Sequence, residues 1–369
     1  MNIGSRLKIA RESIGYTQTK AAQESGIGES SISEFENSVR EPKFSQLSKL
    51  AEVYKRSIEF FLSDKSSAEG IMLWRKAPST AEQMKQTEAE FRQLCEQYHN
   101  LELVTNEKIK RPRSPLPDVD KALEFGYEQA EAFARKVQVE LCLGDIPSAS
   151  LKRILEERYF VKIFHLSFAG SAISTVSPFG PAILLNADSK DWRRNYDLAH
   201  ELFHLLAWDI FRTTSPTDTQ PSEDEERLAN TFASKLLMPD EPLKRKLNLH
   251  KDRHGKISLD QLDDVAREFN ISLDALIYRI ANLFNIKKED GKKYIEIAKR
   301  LAESHKPRES NRPPKLPERY CDLALRALRE GKLSLMQFAK YMDISYKKAQ
   351  EYLTEEDGFT DEEISISIA

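Results

Sequence analysis

The stretch DLAHELFHLLAW, residues 197–208, constrains this chain more than any other. On an α-helix, positions four apart lie on one face, about 5–6 Å apart at Cβ. His200 and His204 can then aim their rings at one point. Leu198, Leu202, Leu205 and Leu206 keep a helical period suited to burial. Zinc takes imidazole nitrogens at about 2.0–2.1 Å. Glu201, at the edge of the same face, is placed to accept a proton from a water at such an ion. The bland alternative is a core helix that happens to carry two histidines. With seven histidines in 369 residues, H-E-x-x-H arises by chance in roughly one such chain in a hundred. A second pair, His250 and His254 in LHKDRHGK, has no glutamate beside it and ends at Gly255; it reads as a solvated loop or helix end.

A catalytic zinc takes three protein ligands and keeps one position open. The stretch SEDEERLANTFASKLLMP, 222–239, reads as an amphipathic helix with Phe232, Leu236 and Leu237 facing inward. Glu226 and Asn230, four apart, share another stripe. Glu223, Asp224 and Glu225 have a simple explanation as complements of the helix dipole. YDLAHELFHLL followed by ERLANTFASKLLMP resembles the ImmA/IrrE metallopeptidases, whose second motif is E-x-x-A-N-x-F-A. Glu226, Ala229, Asn230, Phe232 and Ala233 match that motif, and PAILLNADSKDWRRNYDLAHE resembles the strand, loop and helix before the site. The resemblance covers about 119–285. It implies Zn2+, one per chain, on His200, His204 and Glu226, with Glu201 as general base and Asn230 supporting the ligands. Mn2+ and Fe2+ bind such donors with overlapping preference. It further implies hydrolysis of a peptide bond in a protein substrate. Phe203 departs from the glycine the family commonly carries, and Asp197 from its frequent threonine. Phe203 would either narrow the site or pack against the core. By residue type alone, Tyr196, His165 and Tyr278 are candidates for stabilising an oxyanion.

Residues 5–62 read as short amphipathic helices, with Thr17 as an N-cap and Gly26-Ile27-Gly28 as a turn. The module resembles the Cro/repressor-type helix-turn-helix of the Xre family through Arg11, Gln18, Ala22, Gly26, Ile32, Ser33, Glu36 and Pro42. The resemblance implies a five-helix bundle whose third helix, about 28–37, enters the major groove. Gln18 would then touch phosphate, and Ser30, Ser31 and Ser33 would face the groove. Glu29, on the same helix, has the chemistry to read a cytosine amino group. Arg11 and Glu36 are expected to form an internal ion pair. Residues 1–63 hold nine Lys or Arg against eight Glu. Phosphate neutralisation supplies much of DNA affinity, so protein recognition, by docking on a partner repressor, stands beside operator DNA as a role for this module.

Between and after these modules the chain changes character. Residues 63–70 read as a linker. Residues 79–104 read as one long polar helix with a thin apolar stripe, a spacer or partner-contacting element. Residues 105–118, rich in proline and basic residues, read as a further linker. Helices are expected over Val119–Val137 and Ser148–Arg158. Strands are expected at Phe160–Phe164, half-buried by its alternation, and at Ala172–Val176 and Ala182–Leu185. Residues 257–283 resemble the helical pair that follows the core in the metallopeptidase family. A basic, proline-rich linker leads to a last helical module, 318–354, and an acidic tail.

The expected fold is mainly α with a small β-sheet (α+β): an N-terminal five-helix bundle, a zincin-like metallopeptidase core and C-terminal helical modules. The expected divisions are 1–63, 64–118, 119–242, 243–302, 303–317 and 318–369. A net charge of −3 gives no global attraction to nucleic acid or membrane. Cys95, Cys142 and Cys321 form no C-x-x-C pair, as suits a reducing compartment. No apolar run approaches the length of a bilayer span, so a cytoplasmic location with no membrane partner is expected. These readings converge on a DNA-binding regulator carrying a zinc endopeptidase that cuts a repressor or antitoxin, in stress response or mobile-element control. The rival expectation is a regulator or antitoxin whose peptidase-like domain serves as a sensor without turnover. A homodimer is compatible with either.

Overall fold

The computed structural model describes residues 2–62, 70–107, 113–212, 220–286 and 310–354, with positions 289 and 296 besides. Most of the 63–70 linker, parts of the other two linkers, most of 287–309 and the acidic tail lie outside the described residues.

The N-terminal bundle comprises α1 (Ile3–Ser13), α2 (Gln18–Ser25), α3 (Glu29–Glu36), α4 (Phe44–Val53) and α5 (Ile58–Leu62). Local chemistry sets its boundaries. The Thr17 hydroxyl accepts from Lys20 N at 3.1 Å, and Gly26 ends α2 in the left-handed region at φ 66, where a side chain is strained. Leu7, Ala10, Ile14, Ile32, Phe35, Leu47, Leu50 and Tyr54 close the core. Gly4 lets α1 approach α3: a Cβ there would lie 2.4 Å from Phe35 O. Arg11 grips Glu36 in a buried fork, Nε–Oε1 2.6 Å and Nη2–Oε2 2.9 Å.

The single sheet among the described residues has four strands: β1 (Met72–Arg75), β2 (Lys162–Leu166), β3 (Ala172–Ser177) and β4 (Gly180–Asn186). Their order is β1-β3-β4-β2, with β2 parallel to β4 and the other pairings antiparallel. Every residue of β2 is buried. The half-buried expectation for this stretch is therefore corrected, and its start moves from Phe160 to Lys162. Ile163 faces one core, Phe164 and Leu166 face the other, and the polar Lys162 is buried against Glu102 at 2.6 Å. An alternating pattern does not reveal a polar residue neutralised in this way.

On one face of the sheet lies a helical core. It is built from α7 (Tyr127–Glu140), α8 (Leu151–Glu157), α9 (Asp191–Leu206), α10 (Trp208–Arg212), α11 (Glu223–Leu237), α12 (Asp240–His250), α13 (Leu259–Glu268) and α14 (Leu273–Leu283). The helix expected over Val119–Val137 is instead a short 3-10 turn at Ala122–Glu124 followed by α7. Gly126, extended and without a side chain, separates the two.

The other face corrects the linker expectation for 64–118. Within it, Met72–Arg75 is a strand of the sheet, and α6 (Ala81–Val104) is a packed element. Phe91, Leu94, Cys95, Tyr98 and Leu101 repeat at helical spacing and are buried. They meet Phe164 and Leu184 of the sheet, and Tyr320, Leu323 and Phe338 of α15 (Glu318–Arg329) and α16 (Leu335–Met342). The last helix among the described residues is α17 (Tyr346–Thr354). Ala89 of α6 also packs into the N-terminal core. The expected 303–317 linker is likewise ordered where it is described: Lys315 O accepts from His165 N at 3.1 Å on the β2 edge, and Arg194 donates to Asn311 O at 2.8 Å. No described helix is long and apolar enough to cross a membrane.

Candidate metal centre

Helix α9 packs on β3 and β4 and against α11, so most of it is buried. His200, Glu201 and His204 are 0%, 1% and 2% exposed. Helix α11 packs against it and brings Glu226 to the same point. His200 Nε2 lies 3.2 Å from His204 Nε2. The Glu226 carboxylate lies 3.3 Å from His200 Nε2 and 3.4 Å from His204 Nε2. Four tetrahedral bonds of about 2.05 Å would separate their donor atoms by about 3.3 Å. The three side chains therefore stand at the spacing one small cation imposes, and they form a single group able to ligate it.

The outer bonds of the histidines give the same answer. His204 Nδ1 lies 2.9 Å from Glu225 Oε1, a carboxylate that only accepts, so Nδ1 carries the proton and Nε2 presents a lone pair. His200 Nδ1 meets Asn230 Oδ1 at 3.2 Å, with the same result. Two lone pairs and a carboxylate facing one another in a buried space repel unless a cation or proton joins them. A proton serves when no metal is bound. Burial pushes His200 down to about 3, partly opposed by its bond to Glu226. At His204 burial also pushes down, but Glu225 and Glu226 outweigh it and lift the ring to about 9. Burial raises the Glu226 carboxyl, yet the two histidines hold it well below the usual carboxylate range.

Glu201 is of a different kind. Neither of its oxygens makes a well-formed hydrogen bond, and burial pushes it up to about 7, against the pull of His204 and of the Ser174 hydroxyl on β3. Of the residues considered for an oxyanion, Tyr196 donates its hydroxyl to Asn230 O at 3.0 Å. His165 is buried in β2, and Tyr278 is 54% exposed on α14. His250 ends α12 and His254 lies exposed in the next turn; neither belongs to the metal-ligating group. Phe203 packs into the core: its ring lies 5.6 Å from Phe125, 6.0 Å from Phe211 and 5.6 Å from Phe232.

Sequence reasoning missed three supporting residues. Glu225 is not a solvent-facing complement of the helix dipole. It is 3% exposed and ties His204 to Arg212, whose Nη2 lies 2.6 Å from Glu225 Oε2. Glu223 and Asp224 do keep to the exposed role, pairing with Arg227. Arg75 of β1 donates to Asn230 Oδ1 at 3.2 Å. The signal for Glu225 was present, since it precedes Glu226 in a helix start; nothing near Arg75 in sequence points to the site.

The candidate DNA-contacting residues sit on or before α3. Glu29 and Ser30 are exposed and Ser31 and Ser33 half-buried. Gln18 donates to Glu36 Oε2 at 2.8 Å, so its amide braces the bundle. Thr19 donates to Glu29 at 2.9 Å, and Arg40 pairs with Glu34 at 3.0 Å and donates to Ser31 at 2.9 Å.

Comparison with known proteins finds a family match in each of two parts of the chain. Residues 156–281 match the IrrE N-terminal-like domain of the M78 peptidases, and residues 7–61 match the helix-turn-helix family. Among curated proteins, the HTH-type transcriptional regulator ImmR of Bacillus subtilis (strain 168) is 40% identical over 62 residues, 17% of this chain and 49% of that protein. The chain thus spans about half the length of this relative. Two solved structures are remote likenesses. A Mycobacterium tuberculosis transcriptional regulator has a TM-score of 0.32 at 15% identity over 51% of each chain. Bacillus thuringiensis PlcR, in complex with the peptide PapR7 and DNA, has a TM-score of 0.17 at 14% identity over 96% of this chain and 95% of that one. The chain joins an Xre-type helix-turn-helix domain at its N-terminus to an IrrE/ImmA-like domain of the M78 peptidase family.

Proposed function

We propose that this protein is a DNA-binding regulator whose second domain is a zinc endopeptidase acting on a regulatory protein, a repressor or antitoxin. The observation that carries the reading is the convergence of His200, His204 and Glu226 at 3.2–3.4 Å, with the fully buried Glu201 beside them. Zinc held there would supply Lewis-acid polarisation of a peptide carbonyl and acidify a water. The chain supplies the rest. Glu201, buried beside the three ligating side chains, takes a proton from the attacking water at its carboxylate oxygen and returns it to the leaving amine. Asn230 and Glu225 hold the two imidazoles in the tautomer that leaves Nε2 free.

For the N-terminal domain we propose operator binding through α3, with Ser30, Ser31, Ser33 and Glu29 at the groove and Gln18 bracing the helix beneath. Arg40 and Thr19 satisfy the acidic side chains of this surface, which reduces their repulsion of phosphate. Tethering both activities in one chain would raise the peptidase's effective concentration at a DNA-bound substrate.

A second reading has its own support. Of the site's side chains, only Glu226 is substantially open, at 32%, with His200 and His204 at 0% and 1%. Closure of this kind suits a metal-dependent sensor without turnover. The deciding experiment measures zinc per chain and cleavage of the co-expressed repressor in the parent, His204→Ala and Glu201→Gln. A peptidase gives one zinc in the parent, none in His204→Ala, and zinc without cleavage in Glu201→Gln. Regulation that survives Glu201→Gln unchanged selects the sensor. Absence of zinc in all three rejects the metal reading. At the other end, operator affinity is expected to fall steeply with salt; no binding at low salt would reject the DNA role.

A further inference from the structure

Arg75 lies outside residues 156–281, the span that matches the peptidase family, yet it reaches the outer shell of the metal centre. It is the last residue of β1, an edge strand paired with β3 so that Arg75 stands opposite Ala172. Its side chain is 8% exposed. Nε lies 3.2 Å from Asp197 Oδ1, Nη2 donates to Asn230 Oδ1 at 3.2 Å, and the guanidinium stacks 5.3 Å from the centre of the Tyr196 ring.

We propose that Arg75 is a positioning residue for the metal centre, setting the tautomer of His200 through Asn230. An asparagine amide presents either an acceptor oxygen or a donor NH2, depending on how it is turned. Guanidinium nitrogens only donate. The Asn230 atom that Arg75 meets is therefore the oxygen. That oxygen also lies 3.2 Å from His200 Nδ1, and an acceptor there requires the proton on Nδ1. Nε2 is then left with the lone pair that faces His204 Nε2 and Glu226. With Arg75 gone, Asn230 is free to turn its NH2 toward Nδ1, which moves the proton to Nε2, the atom a metal needs bare. The strand that carries Arg75 belongs to the segment connecting the helix-turn-helix domain to the peptidase-like domain, so the site is complete only with that segment in place. The inference rests on the proposed ligation by His200, His204 and Glu226.

The test titrates Co2+ and Zn2+ into the full-length metal-free chain, reading the Co2+ absorption band and competition with a chromophoric chelator. Arg75→Met should weaken zinc about 10–100-fold, the range for outer-shell partners of ligating histidines. Asp197 keeps its pairing with Arg193 at 3.1 Å, so this variant does not strip its charge bare. Arg75→Lys, which also only donates, should restore much of the affinity. The decisive comparison is Asn230→Asp, whose carboxylate accepts in either orientation. In that background Arg75→Met should cost little or even strengthen binding, whereas a merely structural Arg75 would cost the same in both backgrounds. Equal cost in the two, or parent affinity in Arg75→Met, would overturn the proposal while His204→Ala still loses the metal. If the parent and His204→Ala behave alike, the ligand assignment itself fails and the proposal falls with it.

Discussion

Phe203 stands where glycine is common in the relatives this chain resembles, and it offers a sharp test of how the metal-site helix is held. Its ring is fully buried, with three phenylalanine rings within 5.6–6.0 Å and the His204 ring at 5.7 Å. Truncating such a ring to a methyl costs about 3–5 kcal/mol, because the surrounding rings collapse only partly into the space. A glycine in a helix interior adds about 1 kcal/mol for backbone freedom. Phe203→Gly should therefore lose about 4–6 kcal/mol, and Phe203→Leu, which keeps most of the volume, under about 1.5 kcal/mol. Tryptophan fluorescence in a urea titration is a suitable assay, since Trp74, Trp192 and Trp208 all lie beyond the N-terminal bundle. A loss below about 2 kcal/mol for Phe203→Gly, at an unchanged urea slope, would refute the packing argument. It would mean that the ring occupies space other than the core between α9 and α11.

Two further outcomes follow from the buried polar groups. Glu225→Gln should weaken zinc about 10–100-fold, by the logic that applies to ligand-orienting carboxylates, and a chelator competition that shows no change would remove Glu225 from the site. His165 gives the pH dependence. Burial, aided by Lys152 and Arg194, pushes it down to about 3, while in the unfolded chain it titrates near about 6.5. Below pH 6.5 the unfolded state takes the proton that the folded state refuses, so stability falls as pH falls, by about 2 kcal/mol from this residue between pH 7 and 5. His165→Gln should lose correspondingly less over that window in urea titrations at the two pH values.

How far the sequence could be read depended on the distance over which each signal acts. The N-terminal bundle was legible because its determinants are local: the Thr17 cap, the left-handed Gly26 and a regular apolar spacing. The two histidines were legible because a helix alone places them together, and Glu226 because it sits in a motif. Asn230 was legible for the same reason. Arg75 was not, because it reaches Asn230 across 155 positions of chain through sheet pairing. The strand that carries it is four residues, Met72–Arg75, all buried, and so shows no alternation. Helix α6 seemed nearly polar because its buried stripe includes Ala89, Cys95, Tyr98 and even Glu102, residues that a hydrophobic count undervalues.

Glu102 shows what that count missed and how to test it. It is 2% exposed on α6. It accepts from Lys162 of β2 at 2.6 Å and from Arg319 of α15 at 2.8 Å. Three segments remote in sequence thus share one buried carboxylate, with the Tyr98 ring beside both cations. Breaking such an arrangement from one side costs about 3–5 kcal/mol, whereas replacing both partners with apolar groups is often close to neutral. The two ends are not equivalent. In Glu102→Leu, Lys162 and Arg319 both lose the carboxylate they share, so the larger loss is expected. In Lys162→Met, Glu102 keeps Arg319, whose side chain is 17% exposed, and the loss should be clearly smaller. The double variant Glu102→Leu with Lys162→Met should recover most of the stability lost by Glu102→Leu alone, since Arg319 can turn toward solvent and Glu107, 3.9 Å away. Urea titrations of the three variants read this order directly. Equal losses for the two single changes, adding in the double, would show that the carboxylate does not couple the strand and the two helices.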